Sequence, residues 1–355
     1  MPPKYLTEGE IRAKHSEEVQ KLEKELRERD SLLDKYREEH GVLEIFFRQI
    51  REAITPIKAE KIKYSAKKAS RVESPCTVVM MVNDGHHGMC QDADEIEGFN
   101  QYDPQISYNR QMAYAEMLLN KVEMQRTAYK VPELVVLALG DLISGDIHEE
   151  LRITNKWPSP VQAVEAGKLL AKQISKMAPH FERVRIEFVS EDNHARLTKK
   201  PQAKEAGLNS LNYVVGEIAK AYLRGHSNVE FNIYPMFEKV VHVQNRQYLC
   251  SHGHGIVGWM GVPWYSIERR VGKESTKRLH AVMQDANRMK QVGFHKYVFG
   301  HWHTPFDHPM YCCGGSVSGT DAFDHKQGRF SLPSQTAWFV HPKRGEFDRT
   351  NFMLS

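Results

Sequence analysis

Histidines and carboxylates gather in five short strings along the chain. They are Asp84-Gly85-His86, Gly140-Asp141, Asn193-His194, Ser251-His252-Gly253-His254 and Gly300-His301-Trp302-His303. Of 18 histidines only His15 and His40 precede residue 74, so the imidazole chemistry belongs to the rest of the chain. Carboxylate, imidazole and amide oxygen together form a hard-to-borderline donor set that suits Mn, Fe, Zn or Ni better than calcium or a thiolate-bound zinc. The donors suffice for two divalent ions, with Mn as the expected metal and Fe, Zn or Ni as alternatives. Two ions about 3.5–4 Å apart need an anionic ligand between them. Asp141, alone after its strand with no neighbouring histidine ligand, is the natural bridge. One such string is a weak signal. Five in order, each at the end of an apolar run, are not what histidines satisfied in a core would give, since those would fall within strands and helices.

The apolar runs that carry these strings cover residues 77–82, 134–139, 184–189, 248–250 and 297–299, and each reads as a strand. Between them, residues 108–127, 161–177 and 204–223 repeat apolar residues at spacings of 3 and 4, which predicts helices. Strands alternating with helices predict an α/β layered domain, in which ligands gather at the carboxyl ends of the strands. His87, next to His86, points away if the turn alternates and is read as structural.

The chain has 355 residues, 41% of them hydrophobic, enough for two domains or for one large catalytic domain with an appendage. No apolar run approaches the ~20 residues of a membrane span, and the N-terminus lacks a signal-type stretch. The expectation is a soluble, cytoplasmic protein without a membrane partner. Cys76, Cys90, Cys250, Cys312 and Cys313 form an odd set without a C-x-x-C pair, which fits a reducing compartment. A net charge of +4 gives no global footprint for nucleic acid.

Residues 1–57 read as a charged helix with a heptad seam through Val19, Leu22, Leu26, Leu33, Tyr36, Leu43, Phe47, Ile50, Ile54 and Ile57. Such a stripe calls for a partner helix, from a second copy or another protein, with a helix folded against the catalytic domain as the alternative. Residues 58–73 carry Lys58, Lys61, Lys63, Lys67, Lys68 and Arg71 against Glu60 and read as a basic linker. The catalytic domain is then 74–355.

The order D-x-H, G-D, N-H, H, G-H-x-H, from Asp84 to His303, resembles the calcineurin-like metallophosphoesterase superfamily, phage-encoded members included, for which the address is a host cytoplasm. The resemblance implies a four-layer α/β/β/α sandwich, two mixed sheets flanked by helices, with two metals at the sheet edge. It implies that Asp84, His86 and His303 hold one ion and Asn193, His252 and His301 the other, with Asp141 bridging and His194 as general acid. Where the family reads G-N-H followed by an acid, this chain has Asp192 and Ala195; Asp192 is a candidate to hold His194 from the other side. Ser144, three residues after Asp141, matches neither the protein phosphatases nor the double-strand-break nucleases.

Substrate-binding candidates lie around these strings. Arg196 follows His194 by two residues, and His254 follows His252 by two. Residues 258–278 interleave Trp259, Trp264 and Tyr265 with Arg269, Arg270, Lys273, Lys277 and Arg278, the pairing of stacking surface and cation that a nucleotide or single strand needs. The plainer reading of this stretch is a loop followed by an amphipathic helix. Residues 312–320, CCGGSVSGT, read as a flexible, turn-rich segment, with Asp321 and Arg329 at the pocket rim. The leading expectation is a phosphodiesterase acting on nucleic acid or nucleotides. A phosphomonoesterase, protein phosphatases included, is the enzymatic alternative, and a non-catalytic scaffold recruited through the coiled coil is the alternative of another class.

Overall fold

The computed structural model describes residues 44–64, 75–258 and 261–354, together with Val19, Gln20, Lys21, Lys24, Arg27 and Ser31. The chain divides into two compact units, 1–53 and 54–355. In the first, residues 44–53 are helical. Heptad positions Leu22, Leu26, Leu33, Tyr36 and Leu43, and with them the coiled coil, lie outside the described residues.

In the second unit, β1 (Thr77–Val82), β2 (Glu133–Ala138), β3 (Arg183–Val189) and β4 (Val229–Tyr234) run parallel, β10 (Ser334–His341) pairs antiparallel with β1, and β11 (Gly345–Met353) pairs antiparallel with β10. The sheet order is β11-β10-β1-β2-β3-β4. A second sheet has the order β5-β6-β7-β9-β8, with β5 (Glu238–Val243), β6 (Arg246–Ser251), β7 (Lys296–Phe299), β8 (Phe306–His308) and β9 (Tyr311–Cys313). β6, β7 and β9 are parallel, and β5 and β8 are antiparallel edges.

Alternation along the strands builds the layers. Val78, Met80, Leu134, Val136, Ile186 and Phe188 face helices α1 (Pro104–Gln125), α2 (Ser159–Met177) and α3 (Leu211–Leu223). Val79, Met81, Val135 and Leu137 turn the other way, onto Val241, Tyr248, Cys250 and Val298 of the second sheet. The outer face of that sheet, Leu249, Tyr297 and Phe299, is covered by Ile267 and Val271 of α4 (Trp264–Gln284). The result is the four-layer α/β/β/α sandwich that the resemblance implies. With both faces covered, β1 and β2 read as continuous apolar runs, which is why they are visible in the sequence.

Two elements depart from the sequence reading. Helix α3 begins at Leu211, not near 204, because the Ser210 side chain accepts the Asn212 N–H as an N-cap. Residues 312–320 are not a flexible segment: all are buried. Cys312 and Cys313 belong to β9, and the small residues after them let the chain press against the β1 exit. Gly314 has a place for Cβ only 2.5 Å from Asn83 Oδ1, Ser316 Oγ donates to the Asp84 carbonyl at 3.1 Å, and the Val317 N–H donates to it at 3.0 Å.

Residues 57–64, the start of the basic stretch, lie along the second unit. The Ile57 N–H donates to the Tyr222 carbonyl at 2.9 Å, the Lys63 N–H donates to the Pro179 carbonyl at 2.6 Å, and Arg126 lies 4.9 Å over the Tyr64 ring. Lys67, Lys68 and Arg71 lie outside the described residues. Among the described residues no helix is long and apolar enough to cross a membrane.

Candidate metal centre

Because β1, β2 and β3 are adjacent and parallel, their carboxyl ends share one edge. Val82 is level with Ala138, and Ala138 with Phe188. That edge delivers Asp84 and His86 after β1, Asp141 after β2, and Asn193 and His194 after β3. The parallel pair β6 and β7 delivers His252, His301 and His303 from the other sheet to the same place. All seven ligand candidates and His194 meet here.

Donor atoms fall into overlapping groups, each within 4.8 Å: Asp84, His86 and His303; Asp141, His252 and His301; His86, Asp141 and His194. Asp141 thus reaches both sides of the cluster. Its Oδ2 is 2.9 Å from His252 Nε2, and His252 Nε2 is also 2.9 Å from Asn193 Oδ1. His86 Nε2 and His303 Nε2 approach to 3.1 Å, and Asp84 Oδ1 is 3.8 Å from His303 Nε2.

The loops that present these groups are strained. Asp84, His86, Asp141, His301 and His303 have φ of 48°, 39°, 47°, 70° and 56°, in the left-handed region that side chains avoid. Non-glycine residues persist there only where surrounding contacts over-determine them. The contacts are present: the His301 N–H donates to both Asp84 oxygens at 3.0 and 2.9 Å, and Asn83 Nδ2 donates to Asp84 Oδ2 at 2.6 Å. The Tyr102 hydroxyl holds the carbonyl of Gly85 between the two ligands of that turn.

Asp192 fixes the second and third loops to each other. One carboxylate oxygen accepts the Asp141 N–H at 2.9 Å and the other accepts the Ala195 N–H at 2.8 Å. It therefore does not hold the His194 ring, as the sequence reading entertains; both its oxygens are occupied by backbone. The ring is held instead by the Ser144 carbonyl, 2.7 Å from Nδ1, while Nε2 is 3.9 Å from Asp141 Oδ2.

The electrostatics ask for positive charge. Burial pushes the Asp84 carboxyl up, and burial together with the Asp141 charge pushes Asp192 up to about 7. Burial also opposes ionisation of Asp141, yet His252 and His194 hold it well below the usual carboxylate range. Burial disfavours charge on His252 and His303, but Asp141 raises the first to about 9 and Asp324 raises the second to about 10. Burial keeps His86 and His301 neutral, with lone pairs free to ligate. His86 Nδ1 is buried without a partner. A site of buried carboxylates, neutral imidazoles and facing imidazole nitrogens fits divalent cations, which supply the charge that His252 and His303 otherwise provide as protons.

The remaining candidates are placed less simply. Arg196 donates to the carbonyls of Asn193 at 2.7 Å and Thr198 at 3.1 Å, so its guanidinium braces the His194 loop. Arg196 and His254 line one pocket with Glu191, Thr198 and Asn209 beside the centre. Burial pushes His254 down to about 3. Arg270 is paired with Glu238 at 3.0 Å and Glu274 at 3.1 Å and is not free for a substrate. Trp264 is 50% exposed with its ring 4.6 Å from Phe306, and Arg269 is exposed. Trp259 lies outside the described residues. His87 is structural: its Nδ1 is 3.0 Å from Ser107 Oγ.

Four participants escape the sequence reading. Asn83 and Asp324 carry polar side chains beside ligands but sit in no ligand-like spacing. The Ser144 carbonyl is backbone and leaves no trace in a sequence. His148, exposed, places its ring 5.9 Å from that of His194, at the seventh position after Asp141 rather than the third.

The sequence matches no family model, and no curated protein matches it. Solved structures similar to it include Vps29 from Entamoeba histolytica in complex with zinc, at 12% identity over 78% of this chain and 99% of that chain, with a TM-score of 0.27. A predicted phosphoesterase from Streptococcus pneumoniae is similar at 10% identity over 78% of this chain and 98% of that one, with a TM-score of 0.26. The calcineurin-like phosphoesterase YfkN from Bacillus subtilis is similar at 9% identity over 79% of this chain and 91% of that one, with a TM-score of 0.30.

Proposed function

We propose that the chain is a metal-dependent phosphoester hydrolase acting on phosphodiesters of nucleotides or nucleic acid. The observation that carries this reading is the position of Asp141, whose carboxylate lies within 4.8 Å of the donor nitrogens of His86 on one side and of His252 and His301 on the other. Asp84, His86 and His303 would hold one divalent ion and Asn193, His252 and His301 a second, with Asp141 common to both; such ions supply Lewis-acid clamping of phosphate oxygens and a water acidified toward neutrality.

The protein's own groups account for the rest. With a carbonyl as its partner, His194 Nδ1 must donate, which leaves Nε2 as the nitrogen that exchanges a proton with the substrate. Its place beside Asp141 suits protonation of a departing alkoxide, a contribution of about 10²–10⁴ in rate. A diester is favoured over a monoester by the arginines. Arg196 is engaged by backbone carbonyls, Arg329 by Asp324 and Arg270 by Glu238 and Glu274. A dianionic monoester draws on free guanidinium beyond the ions, whereas a diester carries a single charge. The segment before residue 58 is read as a recruiting arm for a second copy or a partner protein.

The test is turnover by the purified chain with Mn of bis(p-nitrophenyl) phosphate against p-nitrophenyl phosphate. Diester turnover that a chelator abolishes is expected, with Asp141→Asn losing it. No turnover of either ester with Mn, Fe, Zn or Ni would leave the scaffold reading in its place.

A further inference from the structure

We propose that Asp324, backed by Arg329, is a positioning residue for the metal ligand His303 and tightens one of the two ion sites. This rests on the centre proposed above. Asp321-Ala322-Phe323-Asp324 opens the short helix Ala322–Lys326, and the Asp321 side chain caps it by accepting the Asp324 N–H at 2.8 Å. Asp324 stands at the third helical position, where an acid ordinarily turns back to the N–H of the cap. Here neither oxygen does so. Oδ2 lies 2.9 Å from His303 Nδ1, and Oδ1 lies 2.7 Å from Arg329 Nη2.

The residue is only 4% exposed. Burying a carboxylate is unfavourable unless it is paired, and capping a one-turn surface helix does not require it. The surrounding contacts serve to keep it there. The Arg329 N–H donates to the Asp324 carbonyl at 2.9 Å, and its guanidinium lies 5.2 Å from the Phe323 ring centre. Gln91 Oε1 accepts the Ala322 N–H at 2.8 Å, and Ser331 Oγ donates to the His303 carbonyl at 2.6 Å. Residues 321–331 therefore grip His303 at its ring and at its backbone.

The other histidines of the centre are supported differently. His252 Nδ1 and His194 Nδ1 face the carbonyls of Leu139 and Ser144, at 2.9 and 2.7 Å, and His86 Nδ1 has no partner. A carboxylate behind an imidazole fixes Nδ1 as the donor, turns the Nε2 lone pair inward and raises its basicity; removing such a partner typically weakens metal binding about 10–100-fold. The asymmetry assigns the effect to the ion held by Asp84, His86 and His303.

The experiment is a competition titration of the full-length chain with Mn²⁺ and Zn²⁺ against a chelating dye. Asp324→Ala is expected to weaken one of two ions about 10–100-fold and spare the other. Asp324→Asn, which keeps an acceptor for Nδ1–H without the charge, should fall between Asp324→Ala and wild type. In a His303→Ala background, Asp324→Ala should add nothing. Wild-type affinities in Asp324→Ala, or additive losses in the double variant, would overturn the assignment while leaving the metal centre intact. Should Asp324→Ala lose its far-ultraviolet circular dichroism, Asp324→Asn and Arg329→Gln decide: one weakened ion supports the assignment and unchanged affinities overturn it. A wild-type chain that takes up no ion removes the centre itself, and this assignment with it.

Discussion

The carbonyl oxygen of Ser144 stands 2.7 Å from Nδ1 of His194 and holds the ring in place of the carboxylate that the motif resemblance leads one to expect after Asn193-His194. The chain has no room for that acid: Ala195, in its position, is 1% exposed in the helical-side core. A neutral carbonyl orients the ring as well as a carboxylate does but stabilises an imidazolium less. Gly145 allows the approach, since a Cβ there, at φ +67°, would stand 2.0 Å from the His194 carbonyl oxygen.

From this geometry His194→Ala is expected to keep both ions and to slow esters with poor leaving groups about 10²–10⁴-fold. Esters of an activated nitrophenol, whose leaving group needs no proton, should be slowed far less. Comparing kcat/KM for the two ester types, with metal content measured alongside, checks the role; equal losses would remove His194 from proton transfer.

Asp192 gives a prediction about stability rather than chemistry. Its two oxygens accept the N–H groups of Asp141 and Ala195 in a buried site. Asp192→Asn retains one acceptor and turns an amide N–H toward the other donor. A loss of about 1–3 kcal/mol is expected in urea denaturation, with Asp192→Ala costing more. An unchanged midpoint would show that the two loops are held without it.

The strands that carry ligands were legible because each is an apolar run buried on both faces that stops at a polar string. β4 and β5 are not, since Glu230, Asn232, Lys239 and His242 break their runs at sheet edges. In β10 the first residues, Ser334, Gln335 and Thr336, are polar yet buried: Gln335 bonds the backbone of Asn83 and Gly315. The same tertiary pairing turned the glycine- and serine-rich stretch 314–320 into packed backbone, against its loop-like composition. The candidate metal ligands that meet at the strand ends could be picked out because spacing within a strand-end loop is local. The groups that hold His194 and His303, the Ser144 carbonyl and the Asp324 carboxylate, are partners across 50 and 21 residues and leave no local pattern.

A pH dependence follows from the cluster around Glu346. Lys296 Nζ lies 2.9 Å from its carboxylate and Arg349 Nη2 lies 3.0 Å from it. Burial raises the Glu346 carboxyl, but the Lys296 hydrogen bond and both cations outweigh burial and hold it below its ordinary 4.5. A depressed folded-state value means that the stabilisation is present above the unfolded value and is lost as pH falls through the folded one. Lys296→Met should therefore destabilise at pH 7 by roughly 1–3 kcal/mol and less at pH 3. Denaturation at both pH values measures the difference, and equal losses would refute the linkage.

The substrate reading comes down to the start of α4. Gly258 packs between Pro263 and the Trp302 ring, which ties the residues before Trp264 to the loop carrying His301 and His303. Trp264 and Tyr265 are 50% and 75% exposed, and Arg269 is exposed beside them, whereas Arg270 is paired with Glu238 and Glu274. Stacking on an aromatic ring contributes about 1–3 kcal/mol per base, so Trp264→Ala with Arg269→Ala should weaken single-stranded DNA or RNA binding roughly ten- to hundredfold. Turnover of bis(p-nitrophenyl) phosphate should be spared, because it has no base to stack and one phosphate to neutralise. Wild-type affinity should fall steeply with salt, and removing Arg269 should reduce the slope by about 1. Arg270→Ala should instead lower stability, since it leaves Glu238 and Glu274 short of a cation. If the double variant binds and cleaves oligonucleotides as the wild type does, or if the wild type binds none at moderate salt, the substrate is a small phosphoester and the exposed aromatics of α4 have another task.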